Sequence, residues 1–295
     1  MTKAGSRLRA ALADERPLQI VGAVNAYAAL LAERAGFRAL YLSGAGVANQ
    51  SLGLPDLAVT HLGDVAVDAR RITAASELPL LVDIDTGWGH AFTIARAVRE
   101  LEAAGVAGIQ IEDQAGAKRC GHRPGKRVVD TREMVDRVRS AAAARRDEDF
   151  VVVARTDAHA LEGLEGAIER GRAYAQAGAD VLFMEALTTL DEYRRTAEEL
   201  DAPVLANATE FGVTPLFTLE EFRGAGVAAV LYPLSAARVA SRATERAFRT
   251  IRAEGTQRAL VDEMQTREEL YDVLDYLRYE RALDALRGEP EDERE

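Results

Sequence analysis

The stretch Ala103-Ala104-Gly105-Val106-Ala107-Gly108-Ile109-Gln110-Ile111-Glu112-Asp113 holds a helix end, a stop, a buried strand and a polar strand tip in succession. Glycine just past a helix end supplies the left-handed conformation that stops the helix. A near-continuous apolar run behind it suits a parallel strand covered on both faces. The same succession recurs at Gly36 before Ala39-Leu40-Tyr41, at Gly178 before Val181-Leu182-Phe183 and at Gly226 before Val230-Leu231-Tyr232. Runs rich in Val, Ile and Leu predict strands over 18–23, 39–43, 78–85, 108–113, 150–157, 181–186, 203–209 and 228–235. Between them, apolar residues at spacings of three and four predict helices such as 92–104, 131–145 and 165–177. Eight such βα units predict a closed (β/α)8 barrel of the TIM type. A doubly wound open sheet is the second reading, but no Gly-x-Gly-x-x-Gly turn follows an early strand.

Such a barrel uses about 250 residues, and the chain has 295. We expect a catalytic barrel over 1–257, a helical appendix over 258–287 and a disordered acidic tail over 288–295, which is almost all charge. A helix over 238–253, closed by Gly255, precedes helical pieces around 258–264 and 267–286. This exceeds what a barrel needs and is expected to pack on a neighbouring subunit. A formal net charge of -11 argues against nucleic acid as a partner. The single cysteine permits no internal disulfide and suits a reducing cytoplasm. The first 17 residues lack the apolar core of a secretion signal. No apolar run approaches the roughly 20 residues of a membrane span.

The predicted strands turn polar at their C-terminal ends: Ser43-Gly44, Asp83-Ile84-Asp85, Glu112-Asp113, Arg155-Thr156-Asp157, Glu185, Asn207 to Glu210, and Ser235. In a barrel these ends converge on the face that carries active sites. Carboxylates gathered there stay ionised only with a cation. Asp83 and Asp85, two apart, leave the same face of their strand, and hard oxygen donors suit Mg²⁺, which needs only one or two carboxylates. Loop capping and salt bridging is the other reading of that pair. Zinc is disfavoured, because four His and one Cys show no zinc-ligand spacing.

The glycine- and charge-rich segment 114–126 carries Lys118, Arg119, Arg123, Lys126, His122 and the lone Cys120. A cationic loop over an acidic mouth suits a lid that closes on a carboxylated substrate. Charged, turn-forming neighbours keep Cys120 out of a dry core. Lys118, Arg119 and His122 are expected to favour its thiolate, and substrate carboxylates to raise its pKa again before it acts as an acid.

Lys118-Arg119-Cys120-Gly121-His122 resembles the signature loop of the isocitrate lyase and phosphoenolpyruvate mutase superfamily, in the form found in its 2-methylisocitrate lyase branch. Matching stretches run along nearly the whole chain: 40–44, 51–56, 80–85, 111–114, 154–157, 207–212, 232–235 and 264–267. The resemblance implies a (β/α)8 barrel whose C-terminal helices are exchanged between neighbours in a homotetramer. It implies Mg²⁺, with Mn²⁺ as a substitute, and cleavage of 2-methylisocitrate to pyruvate and succinate in propionate breakdown. By the same likeness Asp83 and Asp85 hold the metal, with Asp56, Glu112 and Asp113 near it through water. Ser43, Gly44 and Ala45 hold the oxo-acid product, and Arg155 and Glu185 make its other contacts. Cys120, Gly121, Asn207, Thr209, Arg238 and Arg267 grip the succinate part.

Cys120 is then the proton donor, flanked by Lys118 and His122. Tyr41 is either a partner for the substrate hydroxyl or a barrel-wall aromatic. Phe183 and Leu231 are expected to form the pocket for the methyl group. The alternative is isocitrate lyase or another superfamily lyase or decarboxylase acting on a 2-hydroxy or 2-oxo diacid. Two departures from the family stand out. Ala45 replaces a customary glycine after Ser43-Gly44, and the stretch 85–92, with Trp88 and His90, is about one residue shorter.

Overall fold

The computed structural model describes residues 3–116, 118–123 and 125–287; the acidic tail 288–295 lies outside them. Eight parallel strands close in chain order into a barrel. They are β1 (Leu18–Gly22), β2 (Ala39–Leu42), β3 (Leu80–Asp83), β4 (Gly108–Glu112), β5 (Val151–Thr156), β6 (Val181–Met184), β7 (Val204–Asn207) and β8 (Ala229–Tyr232). β8 returns to β1 through the register Ile20 to Leu231. The strands are shorter than their apolar runs, because the polar ends leave the ladder and become the rim of the mouth.

Side chains alternate along a strand with a period of two, and this splits the core in two. Leu18, Ile20, Ala39, Tyr41, Leu81, Val151, Val153, Val181, Phe183, Leu205, Ala229 and Leu231 form one apolar cluster inside the barrel. Leu40, Leu42, Leu80, Val82, Ile109, Ile111, Val152, Leu182 and Val230 belong to a second cluster, shared with the surrounding helices. Leu8 and Ala11 of helix α1 (Ala4–Asp14) join the inner cluster, so α1 caps one end of the barrel. The sequence reading had only excluded a secretion signal there.

The outer layer is α2 (Ala26–Arg34), a short turn α3 (Gly44–Gly46) running into a π-helix to Ser51, α4 (Leu62–Ala75), α5 (Ala91–Ala103), α6 (Thr131–Ala144), α7 (His159–Gln176), α8 (Leu190–Glu199) and α9 (Leu219–Gly224). The stop glycines Gly36, Gly105, Gly178 and Gly226 all have positive φ, between 76° and 110°. α7 begins six residues before the predicted 165, with Gly163 at φ 73° interrupting it. That break hides the first turn from a periodicity reading.

The chain divides into two compact units, Met1–Arg238 and Val239–Glu295. The division falls within α10 (Ser235–Glu254). The second unit continues with a 3-10 turn (Arg258–Glu263), α11 (Arg267–Leu274) and α12 (Tyr276–Arg287). The single helix predicted over 267–286 is broken at Asp275, which takes the left-handed conformation. Val239, Phe248, Leu277, Tyr279 and Leu286 of this unit are exposed. Among the described residues no helix is long and apolar enough to cross a membrane.

Candidate active site

The alternation that fills the barrel also builds its mouth. Continuing the inward parity past the apolar layer gives Ser43 after Tyr41, Asp83 and Asp85 after Leu81, Glu112 after Gln110, Arg155 after Val153, Glu185 after Phe183, and Asn207 and Thr209 after Leu205. A cleft of about 210 Å³ lies there, lined by Ser43, Ala45, Asp56, Asp83, Glu112, Lys118, Cys120, Gly121, His122, Arg155, Glu185, Asn207, Thr209 and Arg238, with Tyr41, Phe183 and Leu231 as its apolar floor. Asp113 has the opposite parity. It faces away from the cleft and accepts from Thr156 Oγ1 (2.6 Å), Tyr174 Oη (2.8 Å) and the Asp157 N–H (2.9 Å). The expected place of Asp113 beside a metal is therefore corrected: it braces the barrel wall.

The carboxylates are held by the backbone and by one lysine. Asp83 accepts from the N–H of Gly44 (3.0 Å) and of Asp85 (2.9 Å). A Cβ at Gly44 would stand 2.8 Å from Asp85 Oδ1 and 3.2 Å from Asp83 Oδ2, so glycine lets the β2 loop reach them. Lys118 Nζ lies 2.5 Å from Asp85 Oδ1 and 2.7 Å from Asp56 Oδ1. Burial and the nearby Asp83 push the Asp85 carboxyl up to about 6 despite that lysine. Burial drives Glu112 well above the carboxylate range, against the pull of Arg155 and Lys118. Burial opposes the Lys118 charge, but Asp85 and Glu112 outweigh it and hold that ammonium well above its usual range. Glu185 differs: burial is overcome by Arg155, His122 and Asn207, which bring it down to about 2.

No three His, Cys, Asp or Glu side chains among the described residues are spaced as a complete metal cage. Magnesium does not need one, since it keeps several waters and uses one or two carboxylates. The donor set fits it. The ligands are hard oxygens, the burial cost on Asp85 is one that a cation relieves, and Glu112 Oε1 is buried without a hydrogen-bond partner. Lys118 now supplies the positive charge.

The loop after β4 is zipped at its base. Gln114 pairs with Val128 in an isolated antiparallel bridge. Ala115 N–H donates to Arg127 O (2.8 Å) and Val129 N–H to Asp113 O (2.8 Å). The Gln114 side chain holds Arg119 at both its N–H and its carbonyl, each at 2.9 Å. Cys120 is exposed, as expected. Gly121 is packed tightly: a Cβ would lie 2.3 Å from both Arg155 Nη2 and Glu185 Oε1. His122 Nδ1 accepts from the Val213 N–H (3.1 Å), so its hydrogen sits on Nε2, 3.1 Å from Glu185 Oε1. His122 thus sits between the β4 loop, β6 and the β7 loop.

Tyr41 donates to Gln110 Oε1 (2.6 Å), and burial together with Asp83 raises its pKa well above 10. The phenol keeps its proton and serves as floor. Arg155 stacks over Phe183 with its guanidinium carbon 5.1 Å from the ring centre. Arg238 stands 3.6 Å from Glu210 and over Phe211. Arg267 belongs to the second unit, where it opens α11. Trp88 packs against the barrel–helix core and His90 caps α5; neither lines the cleft. The sequence reading assigned no role to Gln110, Asp157 or Lys126. All three are buried, and the inward parity of 110 and 157 is the signal that finds two of them.

Residues 8–252 match the family described as phosphoenolpyruvate phosphomutase. The chain belongs to this family. A 2-methylisocitrate lyase from Salmonella typhimurium is 58% identical over 283 residues, spanning 96% of each chain. Among solved structures of the phosphoenolpyruvate mutase family, 2,3-dimethylmalate lyase superposes with a TM-score of 0.89 at 35% identity, covering 98% of this chain and 97% of its own. A phosphonopyruvate hydrolase complex with oxalate and Mg²⁺ gives 0.84 at 30% identity, covering 96% and 99%. Curated 2-methylisocitrate lyases therefore stand among the relatives of this chain, and its (β/α)8 barrel is the barrel of its structural neighbours.

Proposed function

We propose that this chain cleaves the carbon–carbon bond of 2-methylisocitrate, giving pyruvate and succinate, in propionate breakdown in the cytoplasm. The observation that carries the reading is the convergence of Cys120, Arg155, Glu185 and Asp83 on one cleft of about 210 Å³, with Asp85 tied to it through Lys118. Asp83 and Asp85 would hold Mg²⁺, or Mn²⁺ in its place, with Asp56 and Glu112 reached through water. When bound, the ion supplies polarisation of the hydroxyl and carboxylate oxygens of the substrate. Ser43, Gly44 and Ala45 at the end of β2 and Arg155, held by Glu185, bind the oxo-acid fragment. Asn207, Thr209, Arg238 and Gly121 bind the succinate fragment, whose developing negative charge their donors stabilise.

Breaking the bond needs the hydroxyl proton removed and the new carbanion protonated. Tyr41 cannot easily take the first proton, because its own is committed to Gln110; Glu112 Oε1, unpartnered and in the cleft, would accept it only in the ionised form, which the burial of Glu112 opposes. Cys120 Sγ delivers the second, with Lys118 and His122 beside it. Phe183 and Leu231 make the floor apolar where the substrate methyl would rest. The exposed apolar side chains of the second unit support its exchange between neighbours in a homotetramer, with Arg267 completing a partner's succinate site.

The direct test is pyruvate release from 2-methylisocitrate with Mg²⁺, repeated with EDTA. We expect release that EDTA abolishes. The kcat/KM for 2-methylisocitrate is expected to exceed that for isocitrate by ~10- to 200-fold, the worth of one methyl group in an apolar pocket. Preferred glyoxylate release from isocitrate would instead identify an isocitrate lyase.

A further inference from the structure

Lys126 is the buried charge of the lid that the proposed chemistry leaves unused. Its side chain is 4% exposed. Its ammonium donates to Gly121 O (2.5 Å) and to Asp157 Oδ1 (3.0 Å). Asp157, wholly buried, also accepts from Arg155 Nε (2.9 Å) and Nη2 (3.1 Å), while its own N–H is fixed by Asp113. A continuous path thus runs from the barrel wall through Asp113, Asp157 and Lys126 to the Gly121–His122 peptide, one residue past Cys120. At its far end Gly121 packs so closely that a Cβ there would meet both Arg155 and Glu185.

The two buried lysines of the lid differ in what they grip. Lys118 holds Asp56 and Asp85, the oxygens a divalent ion would claim. Lys126 grips Asp157 and a backbone carbonyl, which no metal contests. A metal therefore competes with the first anchor and leaves the second in place.

We propose that Lys126 is a positioning residue for the cleavage: it sets the height of the Gly121–His122 peptide, and through Gly121 that of Cys120, above Arg155. This rests on the lyase reading above, because what is positioned is the proton-donating thiol. Misplacing a reacting group by about 1 Å costs on the order of 10²-fold in rate.

Lys126→Met tests this, read beside Lys126→Gln, which keeps a shorter donor and fills similar space should the methionine variant fail to fold. We expect kcat for 2-methylisocitrate to fall ~100-fold with KM changed far less. The affinity for Mg²⁺, measured by calorimetry, stays within about twofold, because Lys126 touches none of the metal carboxylates. The second readout needs no turnover. Saturating succinate is expected to slow alkylation of Cys120 by iodoacetamide strongly in the native protein and hardly at all in either variant. Native-like protection of Cys120, or a native kcat, in a folded variant overturns the positioning role. A native protein that gains no protection from succinate overturns the lyase reading instead.

Discussion

Replacing Cys120 with serine is expected to lower turnover of 2-methylisocitrate by ~10² to 10⁴-fold, the usual worth of general-acid catalysis, with the fold and Mg²⁺ affinity intact. The substitution exchanges sulfur for oxygen and leaves the loop otherwise unchanged. Cys120 is exposed and supports no core, so its melting temperature has little to lose. The contacts that hold the lid belong to Lys118, Gly121, His122 and Lys126, not to the thiol. What changes is acidity: a serine hydroxyl gives up its proton far less readily than a thiol. Steady-state kinetics beside calorimetry with Mg²⁺ separate the two effects. A serine variant turning over at near the native rate removes Cys120 from the proton-donating role.

Asp85→Asn is expected to move stability and function in opposite directions. The Asp85 carboxyl is raised to about 6 by burial and by Asp83, in spite of Lys118 at 2.5 Å. In the unfolded chain it ionises near pH 4. Its burial therefore costs nothing below about pH 4, and the cost grows as pH rises and is complete above about pH 6. Above that pH the metal-free native protein carries a penalty on the order of 1–3 kcal/mol. Asparagine never ionises, and Lys118 keeps Asp56. At pH 8, without metal, the variant is expected to melt above the native protein, with the difference vanishing near pH 4. It should also bind Mg²⁺ at least ~10-fold more weakly, since even residues behind metal ligands cost ~10- to 100-fold, and turnover should fall with it. A metal-free variant that melts lower at pH 8 would show that the carboxylate is stabilised by Lys118 rather than penalised by burial.

The barrel was readable because its signals are local. Each glycine stop and apolar run is decided by its own few residues, and all eight strands appear where Val, Ile and Leu cluster. Most of the mouth was readable too, since polar residues that follow a buried run must lie at its end. The misreading of Asp113 shows the limit of that argument: being at a strand end is not enough. Parity counted from Ile109 and Ile111, which join the helix-facing cluster, would have turned Asp113 outward, and parity counted from Val153 would have turned Asp157 inward. The partners of the lid were beyond local reading. Lys118 with Asp85, His122 with Val213 and Tyr41 with Gln110 join residues 33, 91 and 69 positions apart. Nothing in the spacing of loop 114–126 says which of its cations re-enter the mouth. The break of α7 at Gly163 and of the last helix at Asp275 are backbone choices that apolar periodicity passes over.

The zipped base of the β4 loop reaches past this one reaction. Gln114 and Val128 pair with each other, and Arg137 fastens the stem by donating to the carbonyls of Glu112 and Gln114, each at 2.9 Å. The chain leaves the wall after Gln114 and rejoins it at Val128. The barrel thus carries its reactive segment as a cassette, open to lengthening, shortening or a change of chemistry while β4 and β5 keep their register. A substitution beyond that seam can retune the segment that carries Cys120 while the ladder from Gly108 with Val151 to Glu112 with Arg155 stands.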